Sequence, residues 1–509
     1  MKKLVLVGLV LLASVIVLVG CDTNAGDTPS STGGTTQQPG SEGTGGTTQQ
    51  PGSEGTGGES AKKAEDLTLT ISDASGSPTS VTLEDTDSDG YYEIGTADEL
   101  YAFAAAVNGG KTTINGELTS SIEVNKTVLD EQGNLSKNVN FRPWTPIGNG
   151  DTPYTGIFYG ADKTISGLYF NDTNADFAGL FGSLGEGGSV QNLGVENSYF
   201  CGGICVGGVV GSNSGQVSNC YNEGTVSGTA TGEGSSCYVG GVVGDNSGQV
   251  SNCHNTGSVS GSAPGGSSSC HVGGIVGRHH KGAVSNCYNT GSVSGTVTGE
   301  ISYCSVGGVV GSNHQDSTVS NCYNTGDVSG TATGEGSTCY VGGVVGGNSG
   351  KVTTCYSKGD ISGTATYCYV GGVVGDNSGE VSNCYNEGAV SGTATGHTAS
   401  SYVGGVVGEN SGEVSNCYNE GAVSGTATYC YVGGVVGSNS GQVTTCYYLS
   451  GKATGGINNK DESGKAEAMD ETSFASAEMA ELLNANQEDG PWEYNNENSA
   501  PTLKAFNKG

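Results

Sequence analysis

The segment Val-Gly-Gly-Val/Ile-Val-Gly recurs eight times, starting at Val206, Val239, Val272, Val306, Val341, Val370, Val403 and Val432. Successive offsets are 33, 33, 34, 35, 29, 33 and 29 residues. Each copy is followed by a second strand-like block, such as Val250-Ser251-Asn252-Cys253-His254-Asn255, and by a third, such as Val259-Ser260-Gly261. A fixed period of this size marks a solenoid, in which each repeat buries its apolar face only against its neighbours. The chain has 93 Gly in 509 residues. It has no Gly-X-Y period, and its apolar residues return on a schedule, so neither collagen nor a low-complexity chain fits. Abundant Gly, Ser, Thr, Asn and Val favour strands and turns over helices.

Charge narrows the partners. There are 18 Lys+Arg against 50 Asp+Glu, for a net charge of -32. Nucleic-acid binding is not expected, because phosphate contacts need clustered cations. At the N-terminus, Lys2 and Lys3 precede an apolar run from Leu4 to Val19. The run is short for a membrane span. It ends in Leu18-Val19-Gly20-Cys21, which resembles a bacterial lipobox, where the signal is removed and the new N-terminal Cys is lipidated. An ordinary signal peptide or a single membrane anchor is the plainer alternative. The lipobox reading implies contact with a membrane through lipid on Cys21.

Residues 1–20 are thus read as a lipoprotein signal peptide and 21–65 as a tether. In the tether the twelve-residue block Gly34–Gly45 repeats unchanged from Gly46 to Gly57. Such a segment has too few apolar side chains to offset the entropy of ordering. About 40 flexible residues span roughly 35 Å. Residues 66–201 are read as an N-terminal cap and degenerate first coils, 202–448 as the eight repeats, and 449–509 as a C-terminal cap. Leu67-Thr68-Leu69-Thr70-Ile71 alternates as a strand does. Thr96-Ala97-Asp98-Glu99 is a capping box, and Leu100, Phe103, Ala104 and Val107 follow at helical spacing. Residues 473–484 are expected to form one short helix of the second cap, with Trp492 and Pro501-Thr502-Leu503 in a closing strand. Asp85, Asp87 and Asp89, followed by Gly90, resemble the first half of a calcium loop. Thr96 occupies its twelfth position, where Asp98 or Glu99 would have to substitute. The alternative is an acidic turn without metal.

The repeats, as in Val239-Gly240-Gly241-Val242-Val243-Gly244-Asp245-Asn246-Ser247-Gly248-Gln249-Val250-Ser251-Asn252-Cys253, resemble the GLUG motif of bacterial surface proteins. Trp144-Thr145-Pro146-Ile147-Gly148 and Gly179-Leu180-Phe181-Gly182 look like the leading coils of such proteins. The resemblance covers roughly residues 90–505 and implies a parallel β-helix (β-solenoid) exposed at the cell surface; with the caps read above, the expected fold is all-β, a right-handed parallel β-helix with short helical caps at both ends. Related segments occur in immunoglobulin A-specific metalloproteases and in filamentous adhesins. The protease activity does not carry over: none of His254, His271, His279, His280, His314 and His397 stands in a His-Glu-x-x-His zinc motif.

Cysteines form columns. Cys220, Cys253, Cys287, Cys322, Cys355, Cys384, Cys417 and Cys446 recur once per repeat, and Cys237, Cys270, Cys304, Cys339, Cys368 and Cys430 form a second set; Cys201 and Cys205 stand apart. Leu193 replaces the first column, and Ile204 and Ser401 the second. These replacements favour small buried thiols, with disulfides and metal as alternatives. Side chains alternate along a strand, so an inward Cys puts its neighbour outside. Two surface aromatic columns follow: Tyr221, His254, Tyr288, Tyr323, Tyr356, Tyr385, Tyr418 and Tyr447, and Tyr238, His271, Tyr340, Tyr369, Tyr402 and Tyr431, the latter broken by Ser305. They are read either as stacking that stabilises the coil or as a face for sugars or proteins. Asn219, Asn252, Asn286, Asn321, Asn383 and Asn416, replaced by Thr354 and Thr445, are expected to bend the chain and stack as an amide ladder.

The expected role is that of a lipid-anchored adhesin or interaction scaffold in the bacterial cell envelope, binding a host protein or glycan, without catalysis. A carbohydrate-active enzyme is the alternative, but Glu223, Asp245, Asp327, Asp376 and Glu409 look scattered. Arg278-His279-His280-Lys281 reads as a solvated turn. A passive spacer is the third reading.

Overall fold

The computed structural model describes residues 62–485, 489–495 and 500–507. Cys21, the signal segment and the tether up to residue 61 lie outside them. From the first degenerate coils onward the chain winds into a parallel β-solenoid of three sheets, two of them with nine strands each. One coil shows the pattern. Ser236–Gly240 lies in the first sheet. Val243–Asn246, Gln249–Ser251 and His254–Asn255 lie in the second. Val259–Ala263 lies in the third. Each strand pairs in register with its counterpart one coil later, as in Val239↔Val272, Val250↔Val284 and Val259↔Val293.

Alternation decides which residues go inside. Along Val259–Ala263, residues Val259, Gly261 and Ala263 are buried, while Ser260 and Ser262 are half-exposed. The interior is narrow, and Gly261 is there for space: a Cβ on it would lie 2.5 Å from Cys270 Sγ. The turn after Val239 depends on glycine for the same reason. A Cβ on Gly240 would meet Val243 O at 1.9 Å, and one on Gly241 would meet Gly274 O of the next coil at 2.2 Å. The unequal offsets also have a cause. Strands Val328–Ala332 and Thr338–Gly342 are joined by residues 333–337, whereas Ile361–Ala365 and Tyr367–Gly371 are joined by Thr366 alone. The register inside the sheets is untouched.

Cysteines of both repeat columns are free thiols, buried except for the half-buried Cys430. Leu193, in register with Cys220, is buried with them. Ile204 is different. It is 40% exposed, because the strand begins at Cys205, and Cys205 pairs with Tyr238. The inference drawn from Ile204 is therefore corrected, whereas Ser401 is fully buried.

The Asn219 column bends the chain: Asn219, Asn252, Asn286, Asn321, Thr354, Asn383, Asn416 and Thr445 all adopt φ between 52° and 56°. It does not build the extended amide ladder expected of it. Two other asparagine columns do, both pointing inward. Asn222, Asn255 and Asn289 each donate from Nδ2 to Oδ1 of the next coil's Asn at 2.8 Å. Asn313, Asn348 and Asn377 do the same at 2.7 Å. A buried amide needs partners, and in-register stacking supplies them coil by coil.

Helix Ala97–Asn108 covers the N-terminal end, held by the Thr96–Glu99 capping box. Its Phe103 packs edge-on against Tyr154 and Phe158 at 5.9 and 5.5 Å. At the other end, Ala466–Met469 pairs in parallel with Cys446–Leu449, and Ile457 bridges Val436. The single helix expected over 473–484 is two, Glu471–Phe474 and Ala477–Leu483, because Ser476 adopts extended backbone and caps the second. These helices and the hairpin of Trp492–Glu493 with Thr502–Leu503 pack on the flank, against Tyr385, Tyr418 and Tyr447.

Candidate functional site

The first aromatic column is a continuous ring stack from Tyr221 to Tyr418, and the second is a stack with one break. In the first, Tyr221, His254, Tyr288, Tyr323, Tyr356, Tyr385 and Tyr418 stack at centroid spacings of 4.8 to 5.0 Å. That spacing is the separation of adjacent strands, so the sheet itself sets the stack. Only part of this column faces solvent. Tyr385, Tyr418 and Tyr447 are buried, contrary to their expected exposure. The cause is the C-terminal segment. Trp492 lies on Tyr385 and Tyr418, Phe474 meets Tyr418, and Phe506 stands edge-on to Tyr323 and Tyr356. The Tyr418 hydroxyl donates to Pro501 O at 2.7 Å. Burial pushes the phenols of Tyr356, Tyr385 and Tyr418 up.

The second column stays half-exposed. Tyr340, Tyr369, Tyr402 and Tyr431 stack at 5.1, 4.7 and 4.9 Å. Tyr238 and His271 form a separate pair at 5.5 Å, and Ser305 stands in register between His271 and Tyr340. Beside this column runs another, Asp245, Arg278, Ser312, Gly347, Asp376 and Glu409, also in register. The Arg278 guanidinium lies 3.5 Å from the Tyr238 ring centroid and bonds both oxygens of Asp245, at 2.9 and 3.1 Å. The Arg278–Lys281 stretch is thus a packed ion-pair site, not merely a solvated turn. His279 points inward in place of an Asn, with Nδ1 2.9 Å from Asn246 Nδ2. Burial lowers His279 and His271 to about 4, so both rings are neutral. Asp376 and Glu409, scattered in sequence, are neighbours in register. Burial, then the Glu409 charge, raises Asp376 to about 6.

The GLUG motif model matches residues 202–227, 268–294, 302–329 and 399–424. The chain carries GLUG repeats. The matched segments lie in the solenoid coils and include Tyr221, His271, Ser305 and Tyr402. Halomucin of Haloquadratum walsbyi is 40% identical over 84 residues, 16% of this chain and 1% of that protein. A candidate Gly-rich membrane protein of Evansella cellulosilytica is 34% identical over 79 residues, 15% of this chain and 9% of that protein. The chain therefore spans a small part of these relatives. The crystal structure of a candidate immunoglobulin A1 protease from Bacteroides ovatus aligns over 83% of this chain and 94% of that one, at 16% identity and a TM-score of 0.32.

Outside the GLUG coils, the carboxylates of Asp85, Asp87 and Asp89 lie within 4.8 Å of one another. Much of their capacity is used by the turn. Asp85 is fully buried and accepts from the amides of Ala64, Gly90 and Asp89 at 2.7, 3.1 and 3.2 Å. Burial alone would raise its carboxyl, but these amides hold it below the usual range. Asp87 accepts from the Asp89 amide, and Asp89 from the Tyr91 amide. Burial raises Asp89, assisted by Asp87 and Asp85. The residues expected to complete a calcium loop are engaged elsewhere: Asp98 pairs with Arg142 at 2.8 Å, and Glu99 caps the helix. The three aspartates thus offer only part of a calcium shell, and the twelfth-position ligand is not supplied by Asp98 or Glu99.

Proposed function

We propose that this chain is a lipid-anchored protein of the cell envelope, fixed through Cys21, whose GLUG solenoid acts as a non-catalytic interaction scaffold displayed at the surface. The observation that carries this reading is the half-exposed stack of Tyr340, Tyr369, Tyr402 and Tyr431. Repeated identical rings give a periodic face on which weak contacts to a repetitive partner, a glycan chain or a host protein, add through effective concentration. The names of the two sequence relatives, a halomucin and a membrane protein, agree with an envelope location.

The test is a glycan and protein binding screen on the full chain, repeated with two and then four of these tyrosines changed to Ser. Binding that weakens in steps supports the scaffold. Binding unchanged after all four are replaced leaves the stack structural. Turnover of a glycan, lost abruptly on changing one carboxylate, would replace the reading with an enzyme. For the anchor, Cys21→Ser should move the protein out of the membrane fraction; unchanged retention would remove the lipid.

A further inference from the structure

The second aromatic column is missing one ring, and the absence makes a cleft. His271, Ser305 and Tyr340 occupy the same register position in three successive coils. Elsewhere in the column successive rings lie 4.7 to 5.5 Å apart. From His271 to Tyr340 is two coil steps, about 10 Å, which leaves room for one flat ring stacked against both. The adjacent column is small at the same level. Where the two flanking coils carry Arg278 and Asp376, these two carry Ser312 and Gly347. A Cβ built on Gly347 would meet Ser305 Oγ at 3.5 Å and Ser312 Oγ at 3.8 Å, ordinary contact distances, so a side chain could begin there without a clash and would project into the cleft. Tyr303, on the same strand face as Ser305 and 46% exposed, stands at the side. The result is a cleft of about 380 Å³ bounded by His271, Tyr303, Ser312, His314, Tyr340 and Asp376. That size is within the ~300–1,000 Å³ of small-molecule sites.

We infer that this cleft binds a single pyranose ring, stacked between His271 and Tyr340 with its hydroxyls toward Ser312, His314 and Asp376. The chemistry selects a sugar over an aromatic side chain. A pyranose has two flat C–H faces for the two ring walls and a polar rim for the hydroxyl, imidazole and carboxylate groups at the edge. An aromatic guest would satisfy the walls and desolvate the Asp376 carboxylate without a partner. The floor is preorganised: Ser305 Oγ donates to Gly311 O at 2.8 Å, and His271 Nδ1 lies 2.9 Å from Ser312 Oγ. Neutral His271 presents an uncharged face. One ring with few contacts implies a weak site, with Kd on the order of 1 mM.

The proposal deepens the surface-scaffold reading and rests on it for access from solvent. The experiment is saturation-transfer NMR on the full chain with the methyl pyranosides of glucose, galactose, mannose and N-acetylglucosamine. Ser305→Tyr restores the absent ring, and Gly347→Asn fills the open place beside it. The expected result is binding of at least one pyranoside by the unmodified chain, weakened tenfold or more in each variant at unchanged melting temperature. Ser305→Tyr is expected to fold because it continues a stack already in register; should it not, Gly347→Asn alone decides. No signal from any pyranoside, or binding retained within twofold in the folded variant, overturns the proposal. Stronger saturation of N-acetyltyrosine amide than of every pyranoside overturns the ligand class. Retention on polymeric glycans, run in parallel, separates the two readings. Polymer retention without a pyranoside signal removes the cleft and keeps the scaffold, whereas a pyranoside signal without retention keeps the cleft and removes the scaffold.

Discussion

Asn386 stands in register with Ser357 of the preceding coil, and no hydrogen bond joins the Asn386 Oδ1 to the Ser357 Oγ. Every other coil from Asn222 to Asn419 carries Asn at this position. Ser357 therefore interrupts the buried amide ladder and leaves two polar atoms without partners. Ser357→Asn should let residue 357 accept from Asn324 and donate to Asn386. The expected gain is about 1 kcal/mol, read as a higher denaturation midpoint at an unchanged slope. A lower midpoint would mean that the coil cannot accommodate the longer side chain.

Trp492 should be the anchor of the C-terminal segment. It is 1% exposed and touches both Tyr385 and Tyr418. Trp492→Ala should cost roughly 3–5 kcal/mol of docking and release the flank without unwinding the coils. Nitration by tetranitromethane reads this directly: Tyr418 should be inert in the unmodified chain and reactive in the variant. Equal reactivity would show that the segment does not depend on Trp492.

The repeat thiols should stay reduced and protected in the native protein. Burial pushes the Cys368 thiol up to about 12, and Cys205 and Cys220 are raised for the same reason. Thiolate is the reactive form. Burial alone would also raise Cys253, Cys355 and Cys417, but hydrogen bonds from neighbouring thiols lower them. These three are fully buried, so exclusion of the reagent should keep native alkylation slow. Half-buried Cys430 should label first. Cys237 and Cys270 should be the first pair to oxidise, since their Sγ atoms lie 2.8 Å apart. Mass mapping that finds most repeat cysteines already disulfide-bonded would contradict this.

Acid should stabilise the Asp376 region. Its folded pKa, about 6, is raised above the ordinary 3.8 by burial and by Glu409. The folded state therefore holds this proton more tightly than the unfolded chain. The carboxyl lowers stability as pH rises from about 4 to about 6, and the loss is complete above 6. Asp376→Asn should raise stability at pH 7 by up to about 3 kcal/mol and have little effect at pH 4. A variant equally stabilised at both values would point to packing instead of charge.

The repeat was legible because Val and Gly return at every turn, and Leu193 marked its column as an inward site. The same alternation held a further message. If Cys253 points in and His254 out, Asn255 must point in, and a buried amide repeated in each coil must find its partner in the next. Ile204 misled because the spacing to Val206 does not show that its strand starts one residue later. The burial of Tyr385, Tyr418 and Tyr447 was not readable at all. It depends on where a segment dozens of residues away comes to rest, and no local pattern encodes that docking. The cleft at Ser305 was visible only as a break in a column; its width needed the register of the neighbouring strands.

The course of the C-terminal segment has a mechanical consequence. Its last described aromatic, Phe506, rests on Tyr323 and Tyr356, while Phe474 and Trp492 rest on Tyr418. Between Phe474 and Phe506 the segment thus doubles back by two to three coils, roughly 10–15 Å. A pull on the C-terminal end loads the ring contacts in shear along the rod. The terminal coil, which would otherwise peel off strand by strand, feels the force only after the strap across its flank has been stripped.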